Sequence, residues 1–291
     1  MVEKQEAGIL NIDKPAGITS HDVVYRVRRI TGIRRVGHAG TLDPLATGVL
    51  VLAAGRATRL LEYIVGRPKT YWAQLHLGRT TTTYDAEGEI ITEQPVTVSA
   101  AEFQAALNPF RGDIAQIPPM YSAIKREGKP LYELARQGIE VERPPRPVTI
   151  YTLELLHWSP PLVELSITCS AGTYIRSLAY DIGAALGCGA YLAGLRRTAV
   201  GDFTVDDALN LETLTANNWT TFLLPADSAV AHLPRLDVDV ETAGRLSNGQ
   251  RIPRTPEHPA ADLVRVYNPA GEFTGLVTAR ENQWQPRKMW R

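Results

Sequence analysis

The chain has 291 residues, enough for one large domain or one large and one small domain. Hydrophobic residues make up 44% and charged residues 21%, a balance that excludes a disordered chain. The formal net charge of +0 hides a gradient: residues 1–72 carry 11 Lys/Arg against 6 Asp/Glu, whereas residues 201–260 carry 4 against 9, so the first quarter can offer a positive face to a polyanion.

The opening residues lack a basic segment followed by an apolar one, so no secretory leader is read. No apolar run approaches the roughly 20 residues of a membrane helix, and a cytoplasmic protein without a membrane partner is expected. Residues 8–13, "GILNID", read as a strand closed by the turn at Lys14-Pro15. Ser20 is expected to cap a helix with Val23, Val27 and Ile30 inward and Gly32 at its end. Arg26, Arg28 and Arg29 occupy its other positions, and Arg34 and Arg35 follow. Next comes a glycine-rich loop, "GHAGTLDPLATG" (37–48), and a buried run, Val49 to Ala54. "RATRLLEYIV" (56–65) reads as an amphipathic helix with Ala57, Leu60, Leu61 and Ile64 on one face. "KTYWAQLHLG" (69–78) and "LVELSITC" (162–169) alternate with period two, as half-buried strands do.

Residues 116–147 mix prolines, basic residues and tyrosines, the composition of an excursion from the core. "TYIRSLAYDIGAAL" (173–186) predicts a helix capped by Thr173, with Ile175, Leu178 and Ile182 inward. After about residue 230, short strands around a Pro-Ala-Gly turn predict a small β-rich domain.

Cys169 and Cys188 are too few for a disulfide framework and read as reduced core residues. His21, His38, His76, His157, His232 and His258 include no pair at ligand spacing, so no metal site is expected. The glycines of "GCGAYLAG" (187–194) do not fit a dinucleotide fingerprint and follow a helix instead of a strand; no cofactor is expected.

Asp43 has two readings. It can open a turn or helix ahead of Pro44. Alternatively, Gly37, Gly40 and Gly48 let a ligand approach the backbone beside a carboxylate that acts as nucleophile or base. Arg176 opposes the positive end of its own helix, so it needs an anionic partner or points into water.

Taken together, "GHAGTLDPLATGVLVLAAGRATR", "KTYWAQLHLG", "IPPMYSAIKREGKPLYELARQG", "AGTYIRSLAYDIG" and "LRRTAVGDF" resemble, in content and order, the bacterial tRNA pseudouridine-55 synthases of the TruB family. The resemblance runs from about residue 8 to 228 and is weaker beyond. It implies an α+β pseudouridine-synthase fold, with a mixed, largely antiparallel sheet flanked by helices. Residues 1–229 would form the catalytic domain, with an RNA-binding insertion at about 116–147. Residues 230–291 would form a small β-rich PUA-like domain.

The implied reaction isomerises the T-loop uridine of tRNA to pseudouridine, without cofactor or metal and with base flipping. Asp43, Tyr71 and Arg176 would be catalytic: the essential carboxylate, the tyrosine stacked on the base, and the arginine whose charge lowers the Asp43 pKa. Asp43 has three targets open to it: ribose C1′, uracil C6 and the ribose 2′ proton. Lys14, His38, Tyr174 and Leu195 would bind substrate. Arg26, Arg29, Arg34, Arg35, Lys125, Arg126 and Lys129 are candidates for the RNA backbone, by charge and position. The expected partner is the T arm of tRNA, met by a monomer that needs no protein partner. Two rival readings are a non-catalytic tRNA-binding chaperone and an RNA-guided synthase of the same superfamily.

Overall fold

Period-two alternation builds the centre of the molecule. In the computed structural model, which describes residues 7–122, 124–126 and 128–290, the strand at Lys69–Leu77 buries Lys69, Tyr71, Ala73, Leu75 and Leu77 and half-buries the residues between them. The strand at Leu162–Cys169 buries Val163, Leu165, Ile167 and Cys169 in the same way.

In chain order the first elements are β1 (Gly8–Lys14), α1 (Ser20–Thr31), β2 (Val36–His38), β3 (Thr47–Ala54), α2 (Leu61–Val65) and β4 (Lys69–Leu77). A hairpin of β5 (Arg79–Thr81) and β6 (Ile90–Glu93), then α3 (Ala100–Ala106) and β7 (Gly112–Gln116), lead into the proline-rich excursion. That excursion carries a short hairpin, β8 (Lys125–Arg126) and β9 (Lys129–Pro130), and α4 (Leu131–Arg136), apart from the main sheet. The chain returns through β10 (Arg146–Ser159), β11 (Leu162–Cys169), α5 (Ile175–Ala185), β12 (Ala190–Val200), β13 (Phe203–Thr204) and β14 (Leu209–Asn210).

These strands make one sheet in the order β14-β1-β3-β12-β4-β11-β10-β7, with β2 paired to β3 and β13 to β12. Only β1–β14 and β3–β12 run parallel, so the sheet is mixed and largely antiparallel, as expected. At its middle, Arg197 of β12 stands opposite Gly48 of β3 on one side and Tyr71 of β4 on the other.

A second sheet, β15-β17-β18-β19-β16, is formed by β15 (Arg235–Asp237), β16 (Ile252–Pro253), β17 (Leu263–Tyr267), β18 (Phe273–Arg280) and β19 (Gln283–Met289), with α6 (Val240–Ser247) beside it. It has its own core of Leu236, Leu246, Ile252, Val264, Val266, Val277 and Trp284. Leu276 and, partly, Phe273 and Trp290 turn away from that core and pack with Ile9, Ala57, Leu60 and Ile64 of the first body.

Three helix boundaries differ from those expected. The cap of α1 is Thr19, in a capping box with Asp22, because the Ser20 hydroxyl is drawn inward to the Leu42 backbone. Residues 55–60 wind as a 3-10 helix and only 61–65 as α, although Ala57, Leu60 and Ile64 face inward. The cap of α5 is Tyr174, without a side-chain bond, since the Thr173 hydroxyl donates to Ser170 O at 3.0 Å. No helix among the described residues is long and apolar enough to cross a membrane.

Candidate active site

The loop between β2 and β3 carries Asp43 over the middle of the sheet. Three buried side chains fix its backbone. Ser20 donates its hydroxyl to Leu42 O at 3.1 Å and accepts from Leu42 N at 2.8 Å. Lys14, fully buried, donates Nζ to Pro15 O (2.8 Å), Ile18 O (2.7 Å) and Pro44 O (3.3 Å). Arg197 donates Nε to Val49 O (2.7 Å), Nη2 to Gly40 O (3.0 Å) and Nη1 to Thr41 O (3.4 Å). Such close packing explains Gly48: its φ is +101°, and a Cβ there would lie 2.2 Å from Arg197 O.

Asp43 opens a single turn, with Ala46 N–H donating to its carbonyl at 3.1 Å, and no helix follows. Its carboxylate instead meets Arg176 Nη2 at 3.1 Å. Arg176 is the first-turn cation of α5, and two carboxylates answer its conflict with the helix dipole. The second is Asp85, 3.1 Å from Nη1 and only 2% exposed in its side chain. Asp85 was not singled out in the sequence, where it is one carboxylate in "TTTTYDAEGE". A short parallel bridge to Leu192 of β12 holds it in place, and it accepts from the Thr83 hydroxyl at 2.5 Å and from Glu87 N at 3.1 Å. Arg176 also donates Nη2 to Tyr121 O at 2.6 Å, which ties the root of the 116–147 excursion to the site. Gln116 strengthens that root, exchanging hydrogen bonds with the backbone N and O of Tyr174 at 2.8 and 3.0 Å.

These groups border a cleft of about 520 Å³, lined among others by Asp43, Lys69, Tyr71, Glu87, Tyr174, Arg176, Leu195 and Arg197. Of the residues expected at the site, the cleft unites Asp43, Tyr71, Arg176, Tyr174 and Leu195. Lys14 and His38 do not line it. Lys14 braces the loop from beneath, because its ammonium is consumed by three carbonyls. His38 lies on β2, its Nδ1 buried without a partner among the described residues. Arg26, Arg29, Arg34, Arg35 and Lys129 are exposed and make no ion pair among the described residues. The side chains of Lys125 and Arg126 lie outside the described part.

Burial dominates the electrostatics. It raises the Asp43 pKa above the usual carboxylate value, and the charge of Asp85 adds to it; Arg176 and Lys14 pull the other way. Arg176 thus lowers the Asp43 pKa as the resemblance implies, but desolvation outweighs the ion pair and the net shift is upward. Burial lowers Lys14 and Lys69 to about 8 each and raises Tyr71.

A carboxylate held by an ion pair in a largely apolar cleft, with a buried tyrosine beside it, is the equipment of an enzyme that works by nucleophilic or acid–base chemistry. Comparison with known proteins narrows this. The N-terminal domain model of the TruB family pseudouridylate synthases matches residues 28–175. The tRNA pseudouridylate synthase B C-terminal domain matches 176–231, and the C-terminal model of tRNA pseudouridine synthase II matches 233–288.

The tRNA pseudouridine synthase B of Dehalococcoides mccartyi is 48% identical over 289 residues, covering 97% of this chain and 96% of that protein. The enzyme of the same name from Pseudomonas fluorescens is 46% identical over 298 residues, covering 100% and 97%. Among solved structures, an H/ACA ribonucleoprotein bound to a substrate RNA containing 2′-deoxyuridine superposes with a TM-score of 0.74 at 25% identity, covering 98% of this chain and 85% of that one. The chain belongs to the TruB family of pseudouridylate synthases.

Proposed function

We propose that this protein isomerises the T-loop uridine of tRNA to pseudouridine, acting on the T arm as a monomer in the cytoplasm. The observation that carries this reading is the convergence of Asp43, Tyr71 and Arg176, from three distant segments, on one cleft. Near-full-length relatives at 48% and 46% identity that are tRNA enzymes support a stand-alone synthase over an RNA-guided one.

The reaction breaks the bond from ribose to uracil N1, turns the base, and rejoins it through C5; the C5 proton leaves and N1 takes one up, so composition and oxidation state are unchanged. Asp43 supplies the carboxylate that attacks the nucleotide. Arg176 orients that carboxylate, and Asp85 in turn fixes Arg176 from the far side. Tyr71, buried on β4, is placed to stack on the base and to take part in removal of the C5 proton. A folded T loop hides this face of the uridine, so the base must flip into the cleft, at a cost of a few kcal/mol. Phosphate contacts from Arg26, Arg29, Arg34 and Arg35 offset that cost.

The excursion at 116–147, rooted on Arg176 and Tyr174, closes over the RNA. Residues 1–229 act as the catalytic body, and residues 230–291 act as a PUA-like unit that grips tRNA away from the T loop. The test is incubation with unmodified tRNA and mapping of pseudouridine in the product.

A further inference from the structure

Arg197 is 1% exposed, and no carboxylate lies within ion-pair distance of it among the described residues. A buried cation without a counter-charge is expensive to keep. Its neighbours deepen the puzzle. Lys14 and Lys69, also buried, point their ammonium groups only at carbonyls: Lys69 donates to Val65 O at 2.9 Å and to Arg67 O at 3.0 Å.

The position of Arg197 shows what the cost obtains. On β12 it pairs in register with Tyr71 of β4, so the two side chains rise from the same face of the sheet, and both line the cleft. On its other edge it pairs with Gly48 of β3, and its guanidinium reaches three carbonyls that bracket the Asp43 loop, those of Gly40, Thr41 and Val49. One planar group therefore spans the entry and exit of the Asp43 loop and faces the strand that carries Tyr71. A lysine could not do this, because a single ammonium cannot fork to three separated acceptors.

Resting on the reaction proposed above, we propose that Arg197 is a positioning residue that sets the Asp43 loop against Tyr71 and supplies a fixed positive charge to the cleft. The charge acts on its surroundings as expected: Arg197 opposes the burial that raises Tyr71, and it lowers His38, Lys14 and Lys69. In a site where desolvation raises both Asp43 and Tyr71, Arg197 is, like Lys69, a cation of the cleft lining that makes no ion pair with Asp43.

The experiment compares wild type, Arg197→Ala and Arg197→Lys in single-turnover isomerisation of an unmodified tRNA transcript, with tRNA affinity and melting temperature measured in parallel. Misplacement of the loop should slow Arg197→Ala on the order of 100-fold at saturating tRNA, with affinity little changed. Non-denaturing guanidinium should restore much of that rate, and urea, its uncharged counterpart of the same shape, should not. Arg197→Lys, which retains the charge without the fork, should stay folded and remain well below wild type.

Wild-type rates for either variant, or equal rescue by urea and guanidinium, overturn the proposal. If Arg197→Ala does not fold, the Lys variant decides the matter alone. An inactive wild type would instead refute the reaction itself, so the two failures are told apart.

Discussion

Arg176 and Asp43 meet at 3.1 Å on the floor of the cleft although they lie 133 positions apart in the chain. The pair does not behave as an isolated salt bridge would. Asp43 keeps about a third of its side chain exposed, at 36%, while Arg176, at 8%, is buried and shared with Asp85. The Asp43 carboxylate thus reaches into the cleft, and its partner Arg176 is held by a second carboxylate.

Asp43→Asn should abolish isomerisation while leaving tRNA affinity within a few-fold of wild type, since the amide retains the shape and loses the nucleophile. Single-turnover assay and filter binding on the same preparation check both halves. Turnover in protein free of deamidated material would show the carboxylate to be dispensable.

The pH profile follows from burial. Asp43 retains its proton to higher pH than an unfolded chain would, so a rate that needs the ionised form falls as pH drops through a value above the ordinary ~3.9. The acid limb of the rate should therefore lie above that value. Asp85→Asn removes a negative charge that raises Asp43 and one anchor of Arg176. It should move the limb to lower pH while cutting the maximal rate on the order of tenfold or more. An unmoved limb would mean that Asp85 does not act on Asp43.

Gly48→Ala should destabilise the fold more than Gly17→Ala. Both glycines have positive φ, +101° and +82°, and strain alone costs about 1–3 kcal/mol. Only at Gly48 does a Cβ strike backbone, 2.2 Å from Arg197 O; at Gly17 nothing lies within 4 Å. Thermal melts of the two variants test this, and equal losses would contradict the packing of β3 on β12.

Much of this arrangement was legible in the sequence, and what was not has physical reasons. Alternation in Lys69–Leu77 and Leu162–Cys169 predicted two central strands because side-chain facing is a local property. The glycine-rich loop flagged Asp43 because φ and composition are local as well. Asp85 carried no such mark: its partner lies 91 positions away, and a parallel bridge to Leu192 places it. Arg197 stood in plain sight in "LRRTAVGDF", yet only the folded sheet shows that its fork closes on Gly40, Thr41 and Val49. The Arg176 charge lowers the Asp43 pKa as the sequence implied, but the larger upward effect of burial is not legible there, since charge can be read from sequence and desolvation cannot.

Binding should weaken steeply with salt in spite of the net charge of +0. Each phosphate neutralised adds roughly 0.7–0.9 to the slope of log affinity against log salt. Arg34 and Arg35 are exposed and without ion-pair partners among the described residues, so reversing both charges should flatten the slope. An unchanged slope would remove them as contacts.

Removing the second sheet should cost stability before it costs chemistry. Ala229 and Val230 are buried with Leu276 in one cluster, so a cut belongs after them. A chain ending near residue 233 loses the cover that Leu276, Phe273 and Trp290 give to Ala57, Leu60 and Ile64, and its melting temperature should fall. Its single-turnover rate at saturating tRNA should change little, because every residue of the cleft precedes Ala199. A collapsed rate in folded protein would mean that the second sheet helps to build the site.

The most direct test of the central claim is to incubate the purified protein with an unmodified tRNA transcript and map pseudouridine along it at single-nucleotide resolution. The account predicts one new pseudouridine, at the T-loop uridine, formed by wild type and absent with Asp43→Asn. Modification elsewhere with the T loop untouched, or no modification in any transcript tried, would contradict it.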